Sequence, residues 1–139
     1  MTRSVFLLAG LLVLIAALVL SACGSNRQLK SVTLTPATAD AKSFAKGMVS
    51  FAANGVFSKP PSPAPLTSKD IFWCVGNSSG ECADNINLGA IVDGNGVAQC
   101  NTGFVGTATI LAGSVASGSM NPDGGSQLKI FGTAQLTCP

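Results

Sequence analysis

Histidine is missing from all 139 residues, and with it goes the commonest general base and metal ligand at neutral pH. Acids are few. Asp40, Asp70, Glu81, Asp84, Asp93 and Asp123 are scattered along the chain, whereas glycoside hydrolysis needs two carboxyls at a fixed separation across a cleft. Gly76-Asn77-Ser78-Ser79-Gly80 has the form G-x-S-x-G, but without histidine a serine nucleophile would need a lysine or carboxylate partner, and no glycine loop leads into a helix N-terminus to cradle phosphate. No C-x-x-C pair is present, so the cysteines do not read as a four-thiolate zinc site. Asp93-Gly94-Asn95-Gly96 is followed by Val97-Ala98-Gln99 and lacks the further oxygen ligands of a calcium loop. Beyond residue 22 there are seven basic and six acidic side chains, which leaves no basic stripe for nucleic acid. These absences predict a protein that is not an enzyme, holds no metal or cofactor and binds no nucleic acid.

What is present at the start is hydrocarbon. Arg3 is followed by residues 5–20, apolar apart from Gly10 and free of charge, and then by Leu20-Ser21-Ala22-Cys23. A charged n-region, an apolar run and small residues before a processing site form a secretory signal. The Leu20-Ser21-Ala22-Cys23 motif resembles the lipobox of bacterial prolipoproteins. That resemblance implies cleavage before Cys23, acylation of its thiol, and a location in the cell envelope. An uncleaved membrane anchor is the alternative, since about 18–20 apolar residues span a bilayer. Against it, Gly24-Ser25-Asn26 follows as a polar tether and not as a stop-transfer cluster. Gly24 in place of Asp implies the outer membrane if the envelope is Gram-negative. The organisation expected is therefore a signal peptide over 1–22, a lipidated tether over 23–29 and one domain over 30–139.

Without residues 1–22, 117 of the 139 remain, enough for one domain with its own core. The mean hydropathy of +0.46 is inflated by the leader. With Cys23 assigned to lipid, Cys74, Cys82, Cys100 and Cys138 are left, an even number that reads as two disulfides in an exported domain. Of three pairings, the preferred one joins Cys74 to Cys82 as a local closure and Cys100 to Cys138 as a long one.

Strand signals dominate the remainder. Residues 30–35 alternate with period two before Pro36. In the next strand, opened by Gly47, Val49, Phe51 and Ala53 share a face, and Asn54-Gly55 predicts a turn or bulge before Val56-Phe57. Residues 37–46 read as a connection. Pro60, Pro61, Pro63 and Pro65 exclude helix or central strand over residues 59–68, which predicts an extended loop. Ile71, Trp73 and Val75 share one face, with Cys74 on the other and Trp73 at the centre of the core. Asn77-Ser78-Ser79 reads as plain loop. Asp93-Gly94-Asn95-Gly96 predicts a hairpin between residues 88–92 and 97–100. Ala108, Ile110 and Ala112 point inward in a further strand, residues 114–126 read as loop around Asn121-Pro122-Asp123-Gly124-Gly125, and Ala134, Leu136 and Cys138 share a phase in the last strand. About seven short strands and no convincing amphipathic helix predict an all-β, antiparallel β-sandwich.

Several segments in order resemble a bacterial immunoglobulin-like domain of group 2 (BIG2). These are Lys30-Ser31-Val32-Thr33-Leu34-Thr35-Pro36, Gly47-Met48-Val49-Ser50-Phe51-Ala52-Ala53, Ile71-Phe72-Trp73, Ala90-Ile91-Val92-Asp93-Gly94-Asn95-Gly96-Val97 and Gly106-Thr107-Ala108-Thr109-Ile110. The resemblance spans residues 30–138 and implies an immunoglobulin-like sandwich used as a cell-surface module. The proline loop and the four cysteines depart from the family pattern.

The loop offers the best contact surface, with Phe57, Lys59, Leu66 and Lys69 on a scaffold that proline pre-orders. The expected function is a lipid-anchored, non-catalytic interaction or adhesion module for a protein or glycan at the cell surface. The alternative is a passive envelope lipoprotein or an accessory subunit of an envelope assembly.

Overall fold

The computed structural model describes residues 27–83, 89–120 and 125–139, with the backbone course alone for 116–120. The signal peptide and Cys23 lie outside the described residues, as do Asp84, Leu88 and most of the turn expected at 121–125.

The first strand, β1 (Leu29–Thr35), buries Val32 and Leu34 and exposes Ser31, Thr33 and Thr35 on the other face, as its period-two pattern dictates. Pro36 ends it, and the chain crosses to the other layer. There β2 (Thr38–Asp40) runs parallel to the last strand, β10 (Ser126–Cys138), with Thr38 opposite Gln135. The supposed connection over 37–46 thus holds an edge strand and two 3-10 turns. The Asp40 carboxylate caps the first turn by accepting from the Lys42 amide at 2.9 Å, a standard helix-start device.

The next strand is broken in two, β3 (Met48–Ser50) and β4 (Ala52–Phe57). Val49, Phe51 and Ala53 are all buried, so the alternation survives the break. Its position differs from that expected. Asn54-Gly55 lies inside β4, paired on one side with β1 and on the other with β5 (Ala64–Leu66), and this pairing overrides the turn propensity of the dipeptide. Gly55 lies in close quarters there: a Cβ would come within 2.7 Å of the end of the Leu29 side chain and 3.0 Å of the ends of Leu66 and Phe57. The interruption falls at Phe51, whose amide donates to the Gly96 carbonyl at 2.8 Å. Part of the proline loop is itself a strand. Pro65 lacks a donor, and β5 accordingly sits at an edge of its sheet.

The remaining strands are β6 (Phe72–Gly76), β7 (Ala90–Val92), β8 (Val97–Cys100) and β9 (Gly106–Met120). One layer has the order β2-β10-β9-β6. The other is built from β1-β4-β5 and β3-β8-β7, joined by chain continuity through Phe51. Apart from β2 on β10, the pairings are antiparallel. Counting β1 with β2 and β3 with β4 as single broken strands, the order is that of an immunoglobulin-like sandwich, with β5 as an addition.

The core between the layers is centred on Val49, Ile110 and Leu136, each fully buried. Trp73 belongs to this cluster but not to its centre. It is 8% exposed and sits beneath Gly96, where a Cβ would come within 2.7 Å of its ring.

A second cluster lies on the outer face of β6, β9 and β10: Cys74, Cys82, Leu111 and Leu128, with Phe131 against them. Leu111 points away from the main core yet is fully buried. It is covered because the β9–β10 hairpin continues through residues 114–120, which read in sequence as loop, and brings Leu128 and Phe131 against it. That extension bonds to the loop closed by Cys74–Cys82, through the Cys82 amide to Ser126 O and the Leu128 amide to Gly80 O, both at 2.9 Å. Serine, glycine and alanine are weak strand formers, but partner strands supply the hydrogen bonds. The other disulfide, Cys100–Cys138, ties β8 in one layer to β10 in the other. Among the described residues, no helix is long and apolar enough to cross a membrane.

Candidate contact surfaces

Two ends of the sandwich differ in chemistry. β4 ends where Phe57 pairs with Leu29, two residues after Arg27, and this end carries the proline loop. Arg27 holds the loop. Its Nε donates to the Lys59 carbonyl at 3.4 Å, its Nη2 donates to the Pro61 carbonyl, and its guanidinium stacks 3.4 Å over the Phe57 ring, a cation–π geometry. Gln28 and Ser58 exchange two further bonds at 3.0 and 2.8 Å, and the Phe57 amide donates to Ser62 Oγ at 2.9 Å. The loop is thus tied down by hydrogen bonds as well as by its prolines.

Of the four expected contact residues, Phe57 and Leu66 come together, half-buried with Leu29 around Gly55. They act as packing first and as surface second. Lys59 and Lys69 are exposed. Lys69 lies in a turn organised by Asp70, whose Oδ2 accepts from the Thr67 amide at 2.9 Å and the Thr67 hydroxyl at 2.7 Å. Those two bonds, backbone first, hold the Asp70 carboxyl below its ordinary value near 3.8, with Arg27 and Lys69 adding a smaller pull.

The other end carries a cleft of about 380 Å³, lined by Phe44, Lys46, Gln99, Asn101, Phe104 and Pro139 among others. It lies before β3 and beyond β8, where Met48 pairs with Gln99, and so faces away from Arg27. Phe44 is 41% exposed and sits in the short stretch between the two 3-10 turns. Lys46 adopts a left-handed φ of 58° there, and its carbonyl accepts from Gln99 Nε2 at 3.4 Å. Sequence reasoning missed this site. The available signal was a lone phenylalanine between Lys42 and Lys46 in an otherwise small and polar segment.

A second hollow of about 320 Å³ opens at the side, between β5 and the β7–β8 turn, with Phe51, Thr67, Trp73 and Asn95 among its walls. The turn that forms one wall is built by Asp93. Its Oδ1 accepts from the Asn95 and Val97 amides at 2.9 and 2.8 Å, which assigns that carboxylate to backbone support. The Cys74–Cys82 loop is organised likewise, with Asn77 Oδ1 accepting from Ser79 and Glu81 amides and Asn77 Nδ2 donating to Glu81 at 2.5 Å.

Asp40, Asp70, Glu81 and Asp93 thus each serve their own turn. Among the described residues no cluster of three His, Cys, Asp or Glu side chains is arranged to hold a metal ion. What the two ends offer a ligand is shape, aromatic faces and lysine charge. Compared with known proteins, the sequence matches no family model, and no curated protein matches it either.

Proposed function

We propose that this chain is a lipid-anchored cell-envelope protein, held through Cys23, whose BIG2-like domain makes non-catalytic contact with a protein or glycan partner. The observation that supports this reading best is the cleft around Phe44, Lys46 and Phe104, at the end remote from Arg27. A tethered domain presents such an end to whatever lies beyond the membrane. The exposed Phe44 ring beside flexible cations, with half-buried Phe104 in the wall, suits both sugar rings and acidic protein surfaces. The outer membrane is the address proposed for a Gram-negative envelope, on the strength of Gly24.

The test combines intact mass with capture. Native protein should begin at Cys23 and carry acyl chains, and wild type should retain a partner that a Phe44→Ala, Lys46→Glu variant of unchanged stability releases. Equal retention by both proteins would refute the placement at the cleft. No partner above background would favour a passive structural lipoprotein, and a stoichiometric neighbour would favour an accessory subunit.

A further inference from the structure

We propose that the Arg27 end, with its proline loop, lies against anionic lipid headgroups of the membrane, an orientation that rests on the lipidation of Cys23. Three residues, Gly24, Ser25 and Asn26, separate Cys23 from Arg27. Four Cα steps of at most about 3.6 Å span about 14 Å, so the first residue of the folded body stays within that distance of the acylated cysteine. The headgroup layer is itself roughly 5–8 Å deep. The loop that Arg27 clamps, through the carbonyls of Lys59 and Pro61, is therefore held at the lipid surface.

The charge at this end suits that surface. Arg27, Lys30, Lys59 and Lys69 are all exposed. The described carboxylate beside them is Asp70, already occupied by two bonds from Thr67. Asp40 leads into the turns at the opposite end, Asp93 is in the β7–β8 turn, and Glu81 is in the Cys74–Cys82 loop. Among the described residues, four cations to one engaged acid is an excess that attracts anionic headgroups within a Debye length of about 8 Å. Exposed Pro60, Pro61 and Pro63 add apolar rings with no backbone donor to desolvate. The ten residues 48–57 that run between the ends span about 33 Å, which holds the Phe44 cleft well clear of the lipid. The loop first read as a partner site becomes the foot of the molecule.

The test uses the acylated full-length product in vesicles of phosphatidylcholine, alone or with phosphatidylglycerol, footprinted with an amine-acylating reagent that does not cross the bilayer. Intact mass is measured first. With phosphatidylglycerol present, Lys30, Lys59 and Lys69 should each lose reactivity by about fivefold relative to Lys42 and Lys46, and high salt should restore it. A Lys59→Glu, Lys69→Glu variant should lose the protection at Lys30. Acyl mass present with uniform lysine reactivity, or with Lys42 and Lys46 protected instead, overturns this orientation and leaves the lipoprotein reading standing. Absence of acyl mass removes the tether, and both readings fall together.

Discussion

Replacing Gly132 by alanine tests whether the two layers meet where β1 passes β10. A Cβ at Gly132 would lie 2.6 Å from the Val32 carbonyl oxygen and 3.0 Å from its carbon. To restore an ordinary contact of 3.4 Å, the β1 backbone has to retreat by about 0.8 Å, and close-packed interiors do not yield that freely. The atom in the way belongs to main chain, so no rotamer change relieves it. Retreat would also lift Val32 and Leu34, both in the core. Overpacking of this kind costs about 2–3 kcal/mol. With a urea slope of about 1.5 kcal/mol/M, the unfolding midpoint should fall by about 1.3–2 M. Two controls isolate the cause. At Gly94 nothing stands within 4 Å of a Cβ, so alanine there should stay within about 0.5 kcal/mol of wild type. At Gly103 the space is equally open but φ is +80°, so alanine should cost about 1–2 kcal/mol through backbone conformation alone. Should Gly132→Ala unfold at the same urea concentration as Gly94→Ala, the close approach of β1 to β10 is wrong.

The two disulfides should contribute unequally. By loop closure, the 38-residue separation of Cys100–Cys138 is worth about 4 kcal/mol and the 8-residue separation of Cys74–Cys82 about 2.5 kcal/mol, an order that double-alanine variants check by calorimetry. Leu111→Ala should cost about 2–4 kcal/mol in urea unfolding, as a core residue would; a loss under about 0.5 kcal/mol would show that the outer cluster does not form. Asp70 has a lowered folded pKa, so its stabilising contribution is complete above the unfolded value near 3.8 and fades as pH falls through the folded value. Thr67→Ala should move the Asp70 carboxyl resonance, followed by NMR titration, upward toward that ordinary value, and Asp70→Asn should flatten the acid limb of the stability curve.

Much of the candidate site was hidden for a local reason. The lysines of the proline loop were visible as charge and its prolines as stiffness, yet the clamp from Arg27 joins residues 32 and 34 positions apart, and nothing local marks such a pair. The far cleft draws on residues 41–47, 99–104 and 139, three segments with no common pattern. Phe57 and Leu66 looked like display because each is apolar in a polar stretch. They are half-buried because Gly55 leaves room for both, a relation carried by β4 pairing with β1 on one side and β5 on the other.

Alternation in the chain alone determined the inward faces of the strands: Val32 with Leu34, Val49 with Phe51 and Ala53, and Ala108 with Ile110 and Ala112 follow from a period of two that no packing is needed to read. The same holds for the Asp93–Gly96 turn, since positive φ at Gly96 is a local demand. Tertiary structure decided what neighbours supply. Asn54-Gly55 stays extended because strands flank it on both sides, Leu111 is buried because a disulfide loop folds over it, and Gly132 is glycine because another strand's carbonyl occupies the space a side chain would take. Propensity acts within a few residues, whereas burial and hydrogen-bond satisfaction are settled by segments that meet only after folding.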